Sequence, residues 1–218
     1  MLQPALAIAE ATPGGFLLVL AIIVPVAAII ALVGLGGRGA GRILIASLAV
    51  QFVVALSLFM IVWQSGAPVV YLVGGWQPPL GIALRADGIS AVMMLTSAIV
   101  ICGAAIFAWE DFRQPRSKPE RRTSLIFWSA LLAIGSALNT LFTSSDLFNL
   151  YVALELLTFA AIPIVSLKGG ADTLRAALRY LLFAVFGSML YLFGIVLIYG
   201  TYGTLEIAAL ATRVEPNM

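Results

Sequence analysis

Polar residues interrupt this chain only at intervals, and the apolar stretches between them are too long for the core of a soluble domain. A bilayer core about 30 Å thick takes roughly 20 apolar residues per helix. Six stretches meet that length, at residues 16–34, 42–64, 88–109, 123–143, 146–167 and 173–200. The pattern predicts an all-α, polytopic membrane protein, with residues 1–218 forming one domain of about six transmembrane helices. The fourth and fifth stretches are separated only by a Thr-Ser-Ser-Asp turn. Asp146 is placed there to cap the fifth helix, because its carboxylate can accept the free backbone N–H groups.

Between the second and third stretches, residues 64–87 form the longest connection on their side. Val69–Val73, Gly74-Gly75, Pro78-Pro79 and Gly81–Leu84 read as a short irregular hairpin, with glycines for the turn and prolines for stiffness. The opening MLQPALAIAEATPGG lacks a basic n-region, so Phe16 is expected to begin the first span rather than follow a cleaved signal. No internal repeat or low-complexity linker stands out.

Charge adds orientation. Arg38 and Arg42 lie between spans one and two. Arg113, Arg116, Lys118, Arg121 and Arg122 lie between three and four, and Lys168, Arg175 and Arg179 run from the next loop into span six. Only Arg85 and Arg213 lie on the other side, so ten of the twelve basic residues share one side. By the positive-inside rule that side is cytoplasmic, both termini face outward, and the chain is a multi-pass protein of the cell (inner) membrane.

Composition narrows the chemistry. The chain is 62% hydrophobic and 10% charged, where a soluble domain carries about 25% charged residues. A small net charge of +2, with its basic residues clustered, argues against a nucleic-acid partner. One cysteine, Cys102, excludes a disulfide framework or thiolate cluster within the chain. The absence of histidine removes the commonest metal ligand and general base. No metal or cofactor is expected, and the chemistry falls to carboxylates, Lys, Arg and hydroxyls.

Two motifs have ordinary explanations. GLGGRG at 34–39 has dinucleotide-loop spacing but follows a membrane helix and opens no βαβ unit, so it reads as a turn. EDFRQPRSKPERR at 110–122 reads as a solvated loop that sets topology.

Glu155 does not. It lies nine residues past Asp146, about 14 Å along a helix rising 1.5 Å per residue. A central acid costs roughly 2.5–3.5 kcal/mol on insertion scales, and about a dozen large apolar residues return some 4–7 kcal/mol. The helix inserts despite the acid, and insertion does not explain it. Burial disfavours the charged form unless a cation stands nearby, and an acid that a movable cation switches is suited to a proton relay. The alternative is a neutral Glu155 hydrogen-bonded to a neighbouring helix. Tyr151 and Thr158 share its face at i−4 and i+3 and could extend a polar path. Arg175 and Arg179, at i and i+4 in span six, are possible charge partners that could equally snorkel to the interface. Pro163 removes a backbone donor. Asp87 reads as a cap of span three or a partner of Arg85. Ser136, Asn139 and Thr140 are placed to hydrogen-bond across helices, and Met93 and Met94 to pack.

The segments GGWQPPLGIALRADGISAVM (74–93), SSDLFNLYVALELLTFAAIPIVSL (144–167) and AALRYLLFAVFGSMLYLFGIVLIYGTYGTL (176–205) together resemble the proton-antiporter-like membrane subunits. These include the D subunit of Mrp-type Na⁺/H⁺ antiporters and the antiporter-like subunits of complex I and membrane-bound hydrogenases. The first segment points most toward the Mrp-type D subunit. The resemblance implies a fold of about fourteen spans with two inverted five-helix repeats. It also implies a fifth-helix glutamate, matched here by Glu155, that works in proton transfer with lysines further along. Two departures stand out. Arg179 occupies a position where the family often has Lys, and Arg is a poor proton carrier. The family's seventh-helix lysine would lie beyond Met218, and Lys118 and Lys168 are both in loops.

The chain is therefore expected to be the first part of an antiporter-like subunit. Its expected partners are other hydrophobic subunits, among them a chain bearing the remaining helices and the seventh-helix lysine, together with protons, Na⁺ and lipid. The leading reading is a transporter subunit rather than an enzyme, supplying a proton half-channel in a multisubunit Na⁺/proton antiporter. The second is a pumping arm of a complex I-like or hydrogenase-type oxidoreductase. The third is a scaffold with an inert Glu155.

Overall fold

The computed structural model describes residues 11–36, 39–76, 78, 81–112, 122–167 and 169–214. Six long helices run in order: α1 (Phe16–Gly34), α2 (Ala40–Ser65), α3 (Gly88–Phe112), α4 (Arg122–Thr143), α5 (Leu147–Val165) and α6 (Ala171–Tyr202). Each is long and apolar enough to cross a bilayer. A seventh helix, α7 (Ile207–Arg213), is too short to span and has no counterpart in the expected stretches.

The helix ends follow local chemistry. Because α2 begins at Ala40, Arg42 falls in its first turn rather than in the preceding loop. Asp172 occupies the first turn of α6, where an acid is favoured by the helix dipole. At the other end Gly203 adopts φ 65° and stops the helix. Asp87 caps α3: the Ser90 N–H donates to its Oδ1 at 2.9 Å. That bond is the main cause holding the Asp87 carboxyl below its usual range, with Arg85 a minor contributor.

Between α2 and α3 lie β1 (Val69–Leu72) and β2 (Ala83–Ala86), paired antiparallel with Val69 opposite Ala86 and Leu72 opposite Ala83. The return strand lies two residues later than 81–84, because it runs directly into the Asp87 cap. Pro79, one of the stiffening prolines, lies outside the described residues. Thr12 extends the pair: its N–H donates to Val70 O at 3.0 Å, and the Val70 N–H donates to Thr12 Oγ1 at 2.8 Å. Gly15 makes this approach possible, since a Cβ there would stand 2.5 Å from Val70 O.

Packing of α1 on α2, α2 on α3, α3 on α4 and α4 on α1 closes a four-helix unit. Its interior holds two apolar clusters. One joins Leu18, Leu58 and Met94 to Val69, Leu84 and Ala86 of the hairpin. The other gathers Leu32, Leu44, Leu132 and Trp128, with the Trp128 ring edge-on to Phe112 and Phe127. Polar groups of α4 meet α1 between them. Pro25 has no N–H to give the Ala21 carbonyl. Asn139 Nδ2 donates to that carbonyl at 2.9 Å, and Ser136 Oγ donates to Ile22 O at 3.0 Å. Thr140 differs from expectation: its hydroxyl donates to Ser136 O within α4, a route open to any helical threonine. Outside this unit, α5 packs on α4 and α6 on α5.

Candidate functional site on the fifth helix

The start of α5 is fixed from three directions. Asp146, in extended conformation, accepts the Phe148 and Asn149 N–H groups on Oδ1 at 2.8 and 3.0 Å, as a cap should. Ser145 Oγ donates to Ala83 O of β2 at 2.6 Å, and Ser144 bridges to Leu84. On the other side Asp146 bridges to Glu206. The Leu147 N–H donates to Leu205 O and the Ile207 N–H to Ser145 O, both at 3.0 Å. The corner is thus a strand-like layer between the hairpin and the segment leading into α7.

From this anchor Glu155 lies in the middle of α5, about 12 Å from Leu147 along the axis. It is half-buried. Among the described residues its carboxylate has neither an ion-pair nor a hydrogen-bond partner. Arg175 pairs instead with Asp172 on its own helix, Nη1 to Oδ1 at 3.7 Å, with both side chains exposed. Arg179 is exposed on α6 and makes no ion pair among the described residues. The structure therefore brings neither arginine into an ion pair with Glu155.

Tyr151 lies one turn before Glu155 and reaches across to α6. Its ring stacks on Tyr191 at 6.3 Å and 10°, and meets Phe148 at 6.0 Å. The Thr158 hydroxyl is committed to Leu154 O on its own helix at 3.0 Å. Pro163 sits inside a continuous α5. The loop residues Arg38, Arg113, Arg116, Lys118, Arg121 and Lys168 lie outside the described residues.

Two polar residues enter the picture only with the structure. Tyr191 buries its hydroxyl without a hydrogen-bond partner among the described residues. Gln51 of α2 is buried in the four-helix unit. Gln51 had a sequence signal, an amide inside an apolar run, whereas the Tyr151–Tyr191 pairing had none.

Residues 144–218 match the family model described as NADH:quinone oxidoreductase/Mrp antiporter, TM. The D subunit of the Na⁺/H⁺ antiporter of Bacillus subtilis is 30% identical over 172 residues, which is 79% of this chain and 34% of that protein. The putative antiporter subunit mnhD2 of Staphylococcus aureus is 35% identical over 163 residues, 73% of this chain and 31% of that one. Among solved structures, a chain of the membrane-bound sulfane sulfur reductase, an archaeal respiratory membrane complex, superposes with TM-score 0.76 at 26% identity. It is covered to 39% by 91% of this chain. A chain of the Mrp complex from Dietzia sp. superposes with TM-score 0.77 at 24% identity, 91% of this chain on 38% of that one, and shares the fold. The chain spans about a third of the length of the curated relatives it matches. It is thus similar to the antiporter D subunits, and its residues 144–218 match the model of the NADH:quinone oxidoreductase/Mrp antiporter membrane family.

Proposed function

We propose that this chain works in a multisubunit monovalent cation/proton antiporter, with Na⁺ as the cation, and that Glu155 belongs to its proton half-channel. The observation that carries the reading is the placement of Glu155: a lone carboxylate midway along an apolar helix, in a chain related to a Na⁺/H⁺ antiporter subunit. Ionisable groups inside a bilayer are costly and mark ion or proton pathways by default. Tyr151 lies on the same face and Thr158 one turn beyond, so together they offer a polar track along α5. Arg175 and Arg179 would act as charge partners only after their side chains or α6 rearrange, since neither pairs with Glu155 among the described residues. A lysine for Glu155 would be supplied by a partner chain that bears the remaining helices. The basic loops face the cytoplasm and both termini face outward, in the cell membrane.

Glu155→Gln keeps the shape of the side chain and removes its proton. The variant is expected to assemble normally and to lose Na⁺-driven proton movement in inverted vesicles. Full coupled movement by that variant would remove Glu155 from the path.

The 26%-identical likeness to a chain of an archaeal respiratory complex supports a second reading, a pumping arm of a redox complex. Purification of the native complex through a tag on this chain separates the two. Flavin or iron–sulfur absorbance with redox subunits favours the pump, and a colourless set of hydrophobic chains favours the antiporter.

A further inference from the structure

Between the two apolar clusters of the four-helix unit lies a cavity of about 10 Å³. Its apolar wall includes Ala21, Ala55, Met94 and Ile101, and its polar wall is Gln51, Ser97 and Asn139. About 10–15 Å³ of such volume is what one water molecule requires, together with two to four polar partners.

The polar wall has bonding capacity to spare. Gln51 makes one hydrogen bond among the described residues, from Nε2 to Ser47 Oγ at 3.3 Å, leaving its Oε1 and a second N–H. Asn139 gives one N–H to Ala21 O, leaving its Oδ1 and the other N–H. The Ser97 hydroxyl donates to Met94 O at 2.9 Å and keeps its oxygen as an acceptor. The wall thus presents carbonyl acceptors and amide donors, the complement of a molecule with two of each. Helices in a bilayer have no bulk water to serve such groups, and a dry cavity would leave them unpaired where that is most costly. Gly135 keeps the space open, because a Cβ there would stand 3.0 Å from Gln51 Oε1 and 3.3 Å from Ile101 Cδ1.

We propose that this cavity is a water-binding site. One water molecule is held by Gln51, Ser97 and Asn139 and ties α2, α3 and α4 together beside Ala21 of α1. The site is separate from Glu155 and does not depend on the transport reading.

Met93 and Met94 make a paired reporter. Met94 lines the cavity and is 0% exposed, whereas Met93 points out of the unit and is 44% exposed. X-ray radiolysis turns bound water into hydroxyl radicals that oxidise a thioether touching it. The test uses the complex purified through a tag on this chain, in lipid nanodiscs, with oxidation located by peptide fragmentation. The expected result is several-fold more oxidation at Met94 than at Met93. Oxidation of Met94 no greater than that of Met93 would overturn the site. Gln51→Leu should then bring Met94 down to the Met93 level, and unchanged Met94 oxidation in that variant would remove Gln51 as a holder. The wild-type contrast decides the matter even where the variant fails to assemble.

Discussion

Asp87 and Asp146 use the same chemistry at the starts of α3 and α5, each accepting backbone N–H groups that the helix itself cannot pair. Asp146→Ala should lower stability by about 1 kcal/mol, the usual cost of a lost cap, read as a shift in thermal unfolding of the purified complex. Asp87 adds a pH dependence. Its folded carboxyl is held below the ordinary value of 3.8. Its stabilising effect is therefore complete above the unfolded value and is lost as pH falls through the lower folded one. Asn caps without titrating, so wild type should lose stability relative to Asp87→Asn as the pH drops below about 4. Both caps were legible, because a carboxylate just before an apolar run has few other uses. The role of Gln51 was not: its amide stood out in an apolar run, but the residues that share its cavity lie on helices far apart in sequence.

At the level of elements, the six long helices were legible because run length alone decides whether a segment spans. Strand β2 shifted because it runs directly into the local Asp87–Ser90 cap of α3, and α7 escaped notice because seven residues carry no periodic signal. The contact between α1 and α4 shows what a pattern omits. Pro25 was one apolar residue among many, yet its missing N–H frees the carbonyl that Asn139 serves. Asn139→Leu should destabilise the unit by about 1–3 kcal/mol, the cost of leaving a buried carbonyl unpaired. Pro25→Ala restores the helical donor, so the double variant should recover much of that loss. A double-mutant cycle by thermal unfolding measures the coupling, and strict additivity of the two changes would contradict it.

For the whole molecule, burial is uneven. In its most apolar stretch α4 is 44% buried, whereas α5 reaches 11% and α6 only 6%. The four-helix unit is a packed body, and the pair carrying Glu155 lies against its side with most of its surface open. The chain reconstituted alone in liposomes is therefore expected to show no Na⁺-coupled proton movement, measured with an entrapped pH dye. Coupled movement by the single chain would contradict the proposed half-channel. That Glu155 falls midway along the fifth long helix was readable from the apolar run that surrounds it. Its surroundings were not, because the stacking of Tyr151 on Tyr191 depends on how α6 lies on α5.

The pinned corner before α5 has a consequence for biogenesis. On the ribosome, Ser145 and Leu147 emerge long before Leu205 and Ile207, which complete their hydrogen bonds. The entry point of the fifth helix stays provisional until the sixth has crossed and turned at Gly203. A sixth helix threaded in the wrong direction would deliver residues 205–207 to the opposite face of the membrane, leaving the corner open. Closure of those few backbone bonds is thus possible only in chains whose fifth and sixth crossings were both made correctly.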